Sequence, residues 1–292
     1  MSQIDTSLFP QPTGAAASLA ASHSSPNQPL TLYGGWFCPF VQRAWIVLVE
    51  KNIPHQYVEI NPYKKEREFV ALNPRGLVPT LAVQLGEDGK EKKALYESTV
   101  ICEYLDEAYS DEGRHGKRLL PEGEGPEQAY ERARCRLWIN HVVTKVVPGF
   151  YRLLQHTPEK EYPIEEAREE FLKGLKAFAK EMVDSGSGKR GPWFLGERFS
   201  LVDVMLAPWA KRLWLIDHYK PSGVGIPTKG ERGEDEELWA RWDEWFNAVV
   251  ERESVKKTWS DEERYIEVYK RYAEDTTQSE VGQATRKGKG LP

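Results

Sequence analysis

The chain has 292 residues, a net charge of −5, 40% hydrophobic residues and 29% charged residues, a profile that suits one or two water-soluble folded domains. Its mild acidity argues against nucleic acid or an anionic membrane as a partner, and no apolar run is long enough to span a bilayer. Three cysteines, an odd number, argue against a disulfide framework and for a reducing, cytoplasmic setting.

Residues 1–29 are rich in Ala, Ser, Pro and Gln, and the first basic side chain is Arg43. Secretory signals and mitochondrial presequences both need basic residues, so neither fits. The segment reads as a disordered arm, with a short helix docked on the body as the rival reading.

Residues 30–52 carry the main chemical signal. A strand (Leu30, Leu32) is followed by a turn (Gly34, Gly35, Trp36, Phe37), then Cys38-Pro39-Phe40, then a helix. The first turn of a helix leaves backbone N–H groups unpaired and carries partial positive charge. A thiolate there gains hydrogen bonds that a thiol uses less well, and its pKa is expected to fall from about 8.5 to roughly 3.5–7.5. Pro39 suits the first helical position, which needs no donor. The fourth residue of the motif is Val41, so Cys38 has no resolving partner beside it. A mixed disulfide formed at Cys38 must then be resolved by an outside thiol. The competing reading is a small, inert, packed cysteine.

Residues 41–52 read as a helix with an apolar face of Val41, Ala44, Trp45 and Leu48. Residues 55–60 alternate as a second strand, completing a βαβ unit. Residues 63–72 form a short polar helix with Lys64 and Lys65. After the turn Asn73-Pro74-Arg75-Gly76, residues 77–84 form a strand whose Pro79 sits at its start, in either a cis or a trans peptide. A hairpin turn at residues 85–92 leads to a returning strand at 93–96. Glu97-Ser98 then opens an apolar helix. Locally this pair suits a plain cap better than a site for a ligand's ammonium and carboxylate.

The order β-α-β-α-β-β-α resembles the thioredoxin fold as glutathione transferases use it. Cys38-Pro39-Phe40, Leu77-Val78-Pro79, Tyr96-Glu97-Ser98 and the run from Glu103 to Tyr109 together resemble the omega class, over roughly residues 30–272. The resemblance implies an α/β thioredoxin-like N-terminal domain and an all-α C-terminal domain. It implies Cys38 as the catalytic cysteine that forms a mixed disulfide with glutathione. It implies Phe40, Lys65 (or Lys64), Val78, a cis Pro79, Glu97 and Ser98 as glutathione-binding residues, which reverses the preference for a plain cap. It also implies a homodimer, deglutathionylation and dehydroascorbate reduction, and only weak conjugation. Glutathione enters as co-substrate, with a small hydrophobic or glutathionylated acceptor; no bound cofactor is implied. The related glutathionyl-hydroquinone reductases share Cys-Pro-aromatic, but the segment after Phe40 fits omega better. A carrier or scaffold without turnover is the alternative from another class; the presence of Cys38, Lys65, Val78, Glu97 and Ser98 argues against it.

Residues 110–126 are charged and glycine-rich, a boundary composition. The expected domains are an arm at 1–29, a glutathione-binding domain at 30–112, a linker at 113–126, a helical domain at 127–274 and a disordered tail at 275–292. Residues 127–147 and 165–183 are amphipathic, and Cys102 and Cys135, inside helices, read as packed thiols. Residues 186–191 form a formal GxGxxG, rejected because it follows a helix where a dinucleotide site needs a strand. Phe199-Ser200-Leu201-Val202-Asp203-Val204 resembles a capping box with a hydrophobic staple, Ser200 and Asp203 being structural. It opens a helix expected over residues 201–216, whose Trp209 and Arg212 resemble an acceptor-pocket wall. The loop at 220–237 is a candidate border of the active-site mouth. Trp239, Trp242 and Trp245 read as a core stripe. The six histidines show no metal spacing.

Overall fold

The computed structural model describes residues 8–85, 91–184 and 191–290. The expected turn of the hairpin and most of the GxGxxG loop lie outside them. The chain divides into two compact units. One holds the described residues up to Arg118 together with Glu253–Tyr265; the other holds Leu119–Arg252 and the described residues from Ile266 onward.

Unit one is built on a four-stranded sheet of order β2-β1-β3-β4, from β1 (Leu30–Gly34), β2 (Gln56–Glu59), β3 (Thr80–Leu85) and β4 (Glu91–Tyr96). β1 runs parallel to β2, with Leu32 opposite Tyr57, and antiparallel to β3, with Tyr33 opposite Thr80. Helix α2 (Pro39–Glu50) crosses between β1 and β2, α3 (Arg67–Leu72) precedes β3, and α4 (Ser98–Ala108) packs on α2. Val41, Ala44, Trp45 and Leu48 are buried, as their spacing predicts. Trp45 stacks on Tyr57 with ring centroids 4.3 Å apart. Such pairs add about 0.5–1.5 kcal/mol beyond area burial.

The arm is ordered where it is described. Helix α1 (Gly14–Ser22) buries Ala16, whose N–H donates to the Trp259 carbonyl at 3.1 Å. Thr13 N–H donates to Ser260 Oγ at 3.1 Å, and Asp261 N–H donates to Thr13 Oγ1 at 3.0 Å. His23 stacks on His55 at 4.0 Å and its carbonyl accepts the Tyr57 N–H at 2.8 Å. Burial holds the His55 imidazole down at about 4, hence neutral. The expectation of a disordered arm is therefore corrected. Composition undervalued the segment because small residues and backbone groups dock it, with little apolar surface of its own.

The division between the units, at Arg118 and Leu119, falls inside the expected linker at 113–126, and one further boundary, at 253–265, is corrected. Residues 113–126 are anchored at both ends. Lys51 Nζ donates to the Gly116 and Lys117 carbonyls at 3.1 and 3.3 Å, and Arg118 Nε donates to Asp106 Oδ2 at 3.1 Å. On the other unit, Leu201 N–H donates to the Leu119 carbonyl at 2.9 Å and Arg198 to that of Leu120 at 2.8 Å. Residues 253–265, including α11 (Glu253–Lys257), belong to unit one. There Gln42 Nε2 donates to Thr258 Oγ1 at 3.1 Å, and Tyr265 stacks on Trp259 at 4.0 Å.

Unit two is helical: α5 (Pro126–His141), α6 (Val147–Leu154), α7 (Ile164–Asp184), α8 (Leu201–Ala210), α9 (Leu213–Tyr219), α10 (Glu236–Glu251) and the latter part of α12 (Glu262–Ala273). A π-helical turn at Val142–Val146 separates α5 from α6, where Pro148 lacks a donor. The helix expected over 201–216 breaks at Lys211–Arg212 into α8 and α9. The tail is also corrected: α13 (Glu280–Arg286) packs on α6, Ser279 caps it by accepting the Gly282 N–H at 3.0 Å, and Arg286 pairs with Asp275 at 3.1 Å. The 220–237 loop is fastened within its own unit. Arg168 donates to the Gly223 carbonyl at 3.1 Å, and Arg232 pairs with Asp243 at 2.5 Å.

Candidate functional site

The sheet register gathers the candidate residues of unit one. Cys38 follows the carboxyl end of β1. Tyr33 at that end faces Thr80, and Thr80 faces Tyr96. Val78-Pro79 and Glu97-Ser98 therefore lie at the same end of the sheet as Cys38. The Val78–Pro79 peptide is cis.

Cys38 is the N-cap of α2, extended at φ −77 and ψ 119, with Pro39 in the first turn. It is partly exposed. Its N–H donates to the Gly35 carbonyl at 2.9 Å, closing the turn, and its carbonyl accepts the Gln42 N–H at 3.1 Å. Gly34 is required because a Cβ there would lie 2.5 Å from Val41 Cγ1. Arg43 is buried one turn into α2; its guanidinium lies 5.4 Å from the Phe40 ring centre and donates to Ser98 Oγ at 3.2 Å. A buried cation thus joins the start of α2 to the start of α4. Nothing in the local sequence marked it, because Arg43 reads there as an ordinary helix residue.

Glu97 is the N-cap of α4 but does not cap with its side chain. Its backbone takes φ 69, a left-handed conformation uncommon for a non-glycine residue. Its carboxylate pairs with Arg75, whose guanidinium lies 5.9 Å from the Tyr96 ring centre. Both side chains are about half exposed. Ser98 is buried against Arg43. Lys65 is exposed beside Gly76, where a Cβ would lie 2.9 Å from Lys65 Cδ and where φ is +61. The turn before Val78 is organised by Asn73. Its buried Nδ2 donates to Thr80 Oγ1 at 2.9 Å and to the Leu77 carbonyl at 3.2 Å. Asn73 and Arg75 read from sequence only as turn residues.

A second unmarked pair lies under the Cys38 turn. Glu59 Oε1 accepts the Trp36 N–H at 2.9 Å and Oε2 accepts the Tyr57 hydroxyl at 2.7 Å. Burial pushes the Glu59 carboxyl up to about 8 and raises the Tyr57 phenol well above its usual value. The other thiols are packed: Cys102 and Cys135 are buried, and burial pushes Cys102 up to about 12.

In unit two, Ser200 N–H and O–H donate to Asp203 Oδ2 at 2.8 and 2.7 Å, within a capping box. Trp209 and Arg212 are fully buried. Arg212 donates to the Pro208 carbonyl at 2.7 Å and lies 6.0 Å from the Tyr269 ring centre. The expectation that both wall an acceptor pocket does not fit this placement, since neither offers surface to an acceptor. Helical spacing places a residue on a face but not at an opening. Among the described residues, no cluster of His, Cys, Asp and Glu has metal-site geometry and no helix is long and apolar enough to cross a membrane.

The family model described as "Glutathione S-transferase, N-terminal domain" matches residues 37–108, and its C-terminal counterpart matches residues 151–248. Glutathione S-transferase omega-1 of Sus scrofa is 34% identical over 210 residues, covering 70% of this chain and 77% of its own. The crystal structure of glutathione transferase Omega 3C from Trametes versicolor superposes with a TM-score of 0.69 at 40% identity, covering 87% of this chain and 99% of that one. Rice GST1, solved in complex with glutathione, superposes with a TM-score of 0.67 at 25% identity, over 86% of this chain and 99% of that one.

Proposed function

Because this chain belongs to the omega class of the glutathione S-transferases, we propose that it is a glutathione-dependent thiol transferase and reductase acting through a Cys38–glutathione mixed disulfide. The observation that carries this reading is the place of Cys38: partly exposed, at the N-terminus of α2, with Val41 where a resolving cysteine would stand. A hydroxyl at that position would stabilise a glutathione thiolate for conjugation; a cysteine exchanges sulfur partners instead.

The Cys38 thiolate attacks the glutathione sulfur of a glutathionylated substrate. The Cys38–S–S–glutathione bond forms as the substrate's S–S bond breaks, and the leaving thiolate takes a proton from water. A second glutathione thiolate then attacks the glutathione sulfur of the mixed disulfide. This releases oxidised glutathione and regenerates the Cys38 thiolate, so one free glutathione reduces one glutathionylated substrate. Glutathione is an extended anion. The Val78 backbone pairs with its cysteinyl unit beside Pro79, Lys65 (or Lys64) meets the glycyl carboxylate, Phe40 packs beside the sulfur, and Glu97 with Ser98 holds the γ-glutamyl end. Holding the two sulfurs in line lowers the entropic cost of the exchange. Dehydroascorbate is a further oxidant for the same pair of thiols. Dimerisation of the chain with a second copy belongs to this reading, and sedimentation tests it.

Intact-mass analysis after treatment with oxidised glutathione tests the central step. One glutathione adduct, mapped to Cys38 and absent from Cys38→Ser, is expected. An adduct on Cys102 or Cys135, or none, refutes it.

A further inference from the structure

Glu59 ends β2 beneath the turn that carries Cys38, and its two carboxyl oxygens serve two different parts of that turn's support. Oε1 accepts the Trp36 N–H, two residues before Cys38, at 2.9 Å. Oε2 accepts the Tyr57 hydroxyl at 2.7 Å. Tyr57 is itself immobilised against the face of Trp45. Trp36 is fixed on its other side, its indole N–H donating to the Phe9 carbonyl at 3.0 Å and its ring meeting Tyr265 edge-on at 5.2 Å. The chain of contacts runs from Trp45 through Tyr57 and Glu59 to the backbone just ahead of the nucleophile.

We propose that Glu59 is a positioning residue for Cys38, holding the turn through Trp36 and Tyr57, and that a negative charge on its carboxyl slows thiol exchange at Cys38. The proposal rests on Cys38 being the nucleophile. A neutral carboxyl keeps both contacts. Its carbonyl accepts from Trp36, and its hydroxyl donates to the Tyr57 oxygen in place of the reverse bond. An ionised carboxyl adds a negative charge at the Trp36 N–H, two residues before Cys38, and like charges in one site oppose each other. The titratable groups that act on the Tyr57 hydroxyl bonded to Glu59 are Glu59 itself, Cys38 from the turn and Tyr265 from α12, all acids. Among the described residues no cation pairs with Glu59 to offset the charge. Burial holding Glu59 up at about 8 agrees with a neutral group at neutral pH.

The test measures kcat and KM from acid to alkaline pH for the mixed disulfide of glutathione and 2-mercaptoethanol. It compares the full chain with Glu59→Gln, Glu59→Ala, Tyr57→Phe and Cys38→Ser. Glutamine keeps a carbonyl for Trp36 and cannot ionise. The ratio of kcat/KM in Glu59→Gln to that in the unsubstituted protein is expected to rise about threefold to tenfold across the Glu59 titration. The ionisation of free glutathione cancels in that ratio. Tyr57→Phe removes a donor that favours the charged carboxylate, so its alkaline fall moves to higher pH. Glu59→Ala lowers kcat at acid as well as alkaline pH. A flat ratio, an alkaline fall unmoved by Tyr57→Phe, or wild-type kcat in Glu59→Ala overturns the proposal. Full turnover in Cys38→Ser overturns the functional reading instead; with Cys38→Ser inactive, a flat ratio counts against Glu59 alone.

Discussion

Replacing Asp203 by alanine is predicted to cost far more than losing a helix cap. The carboxylate accepts four hydrogen bonds. Oδ1 takes the Phe194 N–H at 2.9 Å and the Trp245 indole N–H at 2.7 Å, and Oδ2 takes the Ser200 N–H and O–H at 2.8 and 2.7 Å. The residue is fully buried. Alanine leaves three N–H donors without an acceptor, each costing about 1–3 kcal/mol. Against this, burial already strains the charged carboxyl and raises its pKa, so its removal returns part of the loss. A net destabilisation of about 3–5 kcal/mol is expected. Ser200→Ala, a cap deletion alone, is expected to cost about 1 kcal/mol. Asp203→Asn keeps one acceptor oxygen for the Phe194 and Trp245 donors, and strands only the Ser200 N–H. It should fall between the two, at about 1–3 kcal/mol. Urea unfolding followed by tryptophan fluorescence ranks the three. If Asp203→Ala unfolds no earlier than Ser200→Ala, the carboxylate is a helix cap only, and its role as a hub joining α8, α10 and the Phe194 strand-like turn is refuted.

Asp106→Ala leaves the buried Lys51 ammonium without its partner at 3.2 Å; a loss of about 3–5 kcal/mol is expected in the same unfolding assay. Glu97→Ala removes only a half-exposed ion pair from the free protein, worth at most about 1 kcal/mol. It should nevertheless weaken binding of S-methylglutathione by about tenfold or more, as titration calorimetry would read it. The raised pKa of Glu59 makes the folded protein bind a proton that the unfolded chain releases. Its contribution to stability is complete below about 4.5 and lost as pH rises toward about 8. Unfolding midpoints of the unsubstituted protein should fall over that window relative to Glu59→Gln; parallel curves would refute the shift.

The residues with a chemical signature of their own were legible in the chain. Cys38 before Pro39, the proline opening β3 and the capping box at Ser200 each have a local physical reason, and local reasons can be read locally. What escaped were supports whose partners are remote. Arg43 meets Ser98 across 55 positions of sequence, and Arg75 meets Glu97 across 22. Asn73 orients the peptide before Val78, yet its letter says only that a turn is near. Trp209 and Arg212 lie on the predicted helical stretch but inside the core, since periodicity gives a face and not its exposure.

The amino-acid order alone determined the alternation of strands and helices in the first half, the helical second half and a lone cysteine at a helix start, because each depends on neighbours within a turn or a strand. Tertiary structure alone decided that the alanine-rich arm docks through Ala16 and His23, that residues 253–265 return to the first unit, and that Glu59 and Tyr57 sit under the turn that carries Cys38. Those outcomes depend on hydrogen bonds and burial between segments far apart in the chain. Composition and spacing carry no record of which distant group will fill a given place.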